Sequence, residues 1–170
     1  MTTSAAWIDD LRPKLERKNI AIIAALKDFA AAIGDESPTC WLDLSDETVI
    51  VHALTTGWLH IFSGTPDQLP DETIPGKQYS SNCDCTPVRI TGDATFELSV
   101  KSTATLALHA PTGGPPTVGN TDRTWIFHLG QKTLTLHAQT SQPVDEPPDE
   151  LAKALVAQVL AAHDGRYPGA

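Results

Sequence analysis

Cys83-Asp84-Cys85 is the sharpest chemical feature of the chain. Two thiolates one residue apart can share a soft metal ion, and zinc would need two more ligands, from Cys40 or from histidines. Structural zinc sites usually leave about two to four residues between paired cysteines. No second pair exists here, so a chance neighbouring of two thiols in a reducing compartment is the simpler reading. Zinc on Cys83 and Cys85 stands as the alternative, and a reversible disulfide or a reactive thiol as a third reading.

The histidines form the second chemical set. His52, His60, His109, His128 and His137 all fall in segments with strand patterning. His128 and His137 share the polar face of one hairpin. A two-residue turn at Gly130-Gln131 would set them roughly 13 Å apart along the ladder, too far to share a metal ion. A longer turn would bring them within reach of one ligand. Histidines on the wet face of a half-exposed sheet are ordinarily just solvated, so His109, His128 and His137 are binding candidates rather than catalytic ones. Tyr79, in a long irregular connection, joins them, since recognition residues gather on loops carried by a rigid scaffold. His52, between Val51 and Ala53, reads as a hydrogen-bonded core histidine, and His163 as a favourable charge at a helix C-terminus.

Other chemistries lack their signatures. There is no G-x-S-x-G elbow, no H-E-x-x-H helix and no phosphate-cradling G-x-x-x-x-G-K-[ST] or G-x-G-x-x-G loop. Adjacent carboxylates occur only in loops and linkers (Asp71-Glu72, Asp145-Glu146, Asp149-Glu150), where solvation or helix capping accounts for them. Trp7, Trp41, Trp58 and Trp125 lie in apolar-patterned segments and read as core. Catalytic residues are not identified.

The elements that must position these groups begin with a helix. Leu15, Ile22, Leu26, Phe29 and Ile33 fall on one face of a 3.6-residue period. Pro13 breaks the pattern, so the expectation is a short helix to about Leu11 and a long one from about Lys14, closed by Gly34. CWLDL, TVIVHAL and WLHIF follow as strands; the second is apolar on both faces and therefore central. Ser63 to Pro87 loses all periodicity and reads as a functional or flexible loop. ATFELSV and ATLALHA suggest a tight hairpin through Lys101-Ser102-Thr103. Residues 111–122 form a second Pro/Gly-rich connection. TWIFHLGQKTLTLHA, Thr124 to Ala138, alternates on both sides of a glycine and is the clearest hairpin. A polar linker over residues 139–148 leads to a C-terminal helix with Leu151, Leu155 and Val159 on one face.

These elements predict one α+β domain over residues 1–170: an antiparallel sheet of seven to eight strands, packed on one face by a long N-terminal and a C-terminal helix. A barrel-like curl of the sheet around the long helix is a variant. Its 170 residues and 41% hydrophobic content suffice for a substantial core. The longest apolar run, Ile20 to Leu26, falls far short of the ~20 residues that span a bilayer, so no membrane association is expected. The N-terminus places acids where a signal peptide has an apolar core, and three cysteines make no disulfide framework. Both point to the cytoplasm. A net charge of −9 disfavours nucleic acid, despite Arg12, Lys14, Arg17 and Lys18 standing close together, and favours a basic protein partner. The expectation is a non-catalytic acidic binding module of inhibitor, immunity or chaperone type. Its alternative is a small-molecule or metal-binding domain, enzymatic or not, that uses strand histidines and Cys83/Cys85.

Overall fold

The computed structural model describes residues 7–9, 11, 20–34, 38–43, 48–66, 76, 78, 80–104, 119–139 and 147–165. They form α1 (Ile20–Ile33), β1 (Thr39–Asp43), β2 (Val49–Thr55), β3 (Trp58–Pro66), β4 (Ser81–Arg89), β5 (Thr95–Ala104), β6 (Gly119–Leu129), β7 (Lys132–Gln139) and α2 (Pro147–His163). The chain divides into two compact units, Met1–Arg89 and Ile90–Ala170.

The first unit holds an antiparallel sheet in the order β1-β2-β3-β4. β2 is interior and largely buried, as its apolar residues on both faces require. Val49, Val51 and Ala53 of β2 and Phe62 of β3 point to α1, where Ile22, Leu26, Phe29 and Ala30 complete the core. Phe29 lies against Phe62 with ring centroids 5.6 Å apart. On the opposite face His52 is buried, as its apolar neighbours imply, and stacks on Trp41 at 5.1 Å.

The second unit holds a three-stranded antiparallel sheet, β5-β6-β7. The β6–β7 hairpin turns at Gly130-Gln131, with Leu129 opposite Lys132 and a positive φ of 60° at Gly130. A two-residue hairpin demands that left-handed backbone, and glycine adopts it without a Cβ penalty. Phe127, Leu129, Leu134 and Leu136 are buried, and Trp125 stacks on Phe127 at 6.2 Å. α2 contacts β7 and β5 and buries Leu151, Leu155 and Val159, one per turn.

Several expectations are corrected. The strands build two sheets, not one of seven to eight, and each sheet carries its own helix on one face. A patterned strand specifies which face is buried but not which strand lies beside it, so strand identity survives and sheet membership does not. The long N-terminal helix expected from about Lys14 is not shown as such: residues 7–9 and 11 are helical, α1 covers Ile20–Ile33, and residues 12–19, with the basic cluster Arg12 to Lys18, lie outside the described residues. The long connection shortens from both ends, because β3 runs on to Pro66 and β4 already starts at Ser81. β4 lacks apolar alternation since it is an exposed edge strand, held by its ladder with β3 more than by burial. The turn at residues 101–103 does not form. β5 passes straight through to Ala104, and Lys101, Ser102 and Thr103 pair with Asp122, Thr121 and Asn120. That pairing takes the last four residues of the expected 111–122 connection into β6. The segment ATLALHA lies outside the described residues beyond its first.

Candidate functional site

The two cysteines of the C-D-C motif belong to β4. Alternation puts Cys83 and Cys85 on the α1 side, opposite Gly64 and Phe62. Cys83 packs against the core and lies 3.3 Å from Ser81 Oγ; Cys85 is exposed. Cys40 is on the far edge strand, three strands away or roughly 14 Å. It therefore cannot join the pair on one metal ion. Burial pushes the Cys40 thiol up to about 12, which leaves it a poor thiolate near neutrality, and partial desolvation against the sheet raises that of the otherwise exposed Cys85. Among the described residues no three His, Cys, Asp or Glu side chains gather as a metal site.

The hairpin histidines are held apart. His137 stands opposite Thr124 and bonds its hydroxyl at 3.1 Å; His128 stands opposite Thr133 and bonds its hydroxyl at 3.4 Å. The two-residue turn gives the longer of the two expected separations. Glu97 Oε1 reaches His128 Nε2 at 3.8 Å, with both side chains solvent-exposed, so this contact adds little to stability. His109 and Tyr79 lie outside the described residues.

A different constellation forms in the first unit, at the C-terminal end of α1. The antiparallel register places Thr55, Trp58 and Arg89 in one row across β2, β3 and β4, with Ala53, His60 and Pro87 in the next. All six positions share the α1 face of the sheet. α1 ends at Ile33 and the chain leaves through Gly34, whose N–H closes the helix by donating to Ala30 O at 3.2 Å. The helix thus covers the Phe62 row and stops short of Trp58. A groove of about 470 Å³ remains, lined by Ala32, Ile33, Thr55, Thr56, Trp58, His60 and Pro87.

Its polar parts are ordered. Thr55 Oγ1 donates to Trp58 O at 3.5 Å, and His60 Nε2 lies 3.1 Å from Thr55 Oγ1. The His60 ring lies near-parallel to Trp58 at 6.5 Å and meets Phe29 edge-on at 6.1 Å. The Arg89 guanidinium sits 5.9 Å from the Trp58 ring centroid, within cation–π range. Trp58 remains 40% exposed.

Among the described residues this lining offers one imidazole, two hydroxyls, an indole and aliphatic surface. These groups can bind a ligand or a partner side chain through apolar contact, stacking and hydrogen bonds. Trp58, expected in the core from its apolar-patterned segment, is instead exposed at the end of the sheet. The signal was its position: it follows directly on Thr56-Gly57, so it opens a strand at the end of the sheet, where a helix of limited length leaves it bare. No family model, curated protein or solved structure matches the chain.

Proposed function

We propose that this chain is a non-catalytic, acidic protein-binding module of inhibitor, immunity or chaperone type, which docks its partner at the groove beyond α1. The exposed Trp58, braced by His60 and Arg89 over a concave floor, carries this reading. Large aromatic and arginine side chains are the commonest binding hot spots, and an aromatic ring buries much area at little entropic cost. A net charge of −9 favours a basic protein over a phosphate backbone. Among the described residues no helix is long and apolar enough to cross a membrane. Free thiols at Cys40, Cys83 and Cys85 fit a reducing cytoplasm as the working compartment.

Quantitative pull-down from the native host, wild type against Trp58→Ser, tests the proposal. The expected result is a discrete protein retained by the wild type and reduced at least about tenfold by the substitution, consistent with hot-spot losses of roughly 2 kcal/mol. Equal recovery of every bound protein by both forms would exclude the groove. The groove volume also suits a small ligand, which favours a second reading as a small-molecule-binding domain using His60. Saturable chemical-shift changes at His60 and Trp58 with a metabolite mixture, without any protein partner, would favour that reading.

A further inference from the structure

Among the described residues, β5 is an edge that the usual protections do not cover. Among the described strands it pairs with β6 alone, and residues 97–103 are all exposed. Natural sheets blunt such edges with proline, short strands or a covering element. Here β1 is five residues long, β4 carries Pro87, and the apolar residues of β7 are buried. β5 runs ten residues without proline. It presents Leu98 at 44% and Val100 at 53% exposure, two of the four large exposed apolar side chains among the described residues. Lys101 is the one customary edge guard on it, and that lysine has a complement four residues away on the same face, Glu97.

We propose that β5 pairs antiparallel with β5 of a second copy of this chain, about a two-fold axis through Ser99 and perpendicular to the sheet. Such an axis keeps each face of the sheet on its own side, so a residue can only oppose one of like parity. Centred on Ser99, the strand is complementary to itself. On the wet face Glu97 of each copy stands opposite Lys101 of the other. On the apolar face Leu98 of each copy stands opposite Val100 of the other, which covers both exposed side chains. Thr95 meets Thr103, and Phe96 meets Ser102. Moving the axis to Leu98 or to Val100 leaves Glu97 and Lys101 without each other. The charge pattern thus selects one register, and the product is a six-stranded sheet continuous across the two copies. An interface of one strand edge is small, so association on the order of 10–100 μM is expected.

Analytical ultracentrifugation from about 5 μM to about 1 mM tests the pairing. The wild type should pass from monomer to dimer mass. Glu97→Lys and Lys101→Glu should each weaken dimerisation at least about tenfold by setting like charges opposite one another, and the double charge swap should restore it to within about threefold. Both side chains are exposed and the Glu97–His128 contact is long, so these variants keep the wild-type circular dichroism. A second readout fixes the register. In a background with the three native cysteines changed to serine, Ser99→Cys should cross-link between copies under mild oxidation. Its Cα would face its own counterpart at about 4.5–5.5 Å, within disulfide range. Thr103→Cys, roughly 26 Å from its counterpart, should not. Monomer mass throughout, a dimer indifferent to charge reversal, or equal cross-linking at both positions would overturn the proposal.

Discussion

Asp149 lies in the first turn of α2 with its side chain 8% exposed, and it holds Arg123 of β6 through Nε at 3.3 Å and through a second bond from Nη2. A partly buried guanidinium deprived of its buried carboxylate is costly, whereas an apolar pair of similar size is tolerated. Asp149→Ala should therefore lower the stability of the second unit by about 3 kcal/mol, and adding Arg123→Met should recover a large part of it. Urea unfolding of the two single variants and the double variant measures this. Cys40 supplies a second expectation at this scale. Its thiol is pushed up to about 12 by burial, so at pH 8 its thiolate fraction is roughly a hundred- to a thousandfold below that of a free cysteine. Iodoacetamide labelling followed by peptide mass spectrometry should find Cys40 slower than an unfolded control by that order. The sign for stability follows. The folded state favours the neutral thiol, so this contribution is complete below the unfolded value near 9 and is lost as the pH rises toward 12.

At the scale of elements, β3 meets α1 at Gly64, and the reason is distance. A Cβ there would stand 3.3 Å from Cys83 Sγ, from Ile22 Cγ1 and from Phe62 Cε1. Helix, neighbouring strand and its own strand close on that point together. Gly64→Val should cost about 1–3 kcal/mol by overpacking, with Gly64→Ala nearer to neutral because it also removes backbone freedom from the unfolded chain. Thermal unfolding of both variants orders them. Elements also show what the sequence makes legible. Trp125, Phe127, Leu134 and Leu136 declare their shared face by alternation, and the hairpin forms with the two-residue turn that Gly130-Gln131 suggests. The β4 residues SNCDCTPVR declare nothing, because an exposed edge strand is held by backbone bonds to a neighbour that local patterning does not encode. Lys101 to Thr103 mislead for the same reason. Polar, turn-compatible residues continue a strand when a long partner such as β6 lies alongside.

For the molecule as a whole, the excess of 21 acidic over 12 basic residues acts at long range. It adds no specific contact, but it steers a basic partner toward the chain and is screened by salt. The proposed complex should accordingly form more slowly as ionic strength rises, while its dissociation rate changes little. Surface plasmon resonance on the partner recovered with Trp58 intact separates the two rates. Composition and periodicity alone determined the acidity, the α+β content, six of the seven strands by their apolar faces, the central burial of β2 and the burial of His52. They did so because burial and propensity are local properties, repeated every two or 3.6 residues. Only the tertiary structure decided that the strands divide into two sheets, each under its own helix. The same structure leaves Cys40 far from Cys83, separates His128 from His137, and aligns Thr55, Trp58 and Arg89 in one row at the end of α1. Each of those outcomes depends on which strand lies beside which and in what register. Register is set by long-range pairing and by where a helix stops, and no short window of sequence contains either.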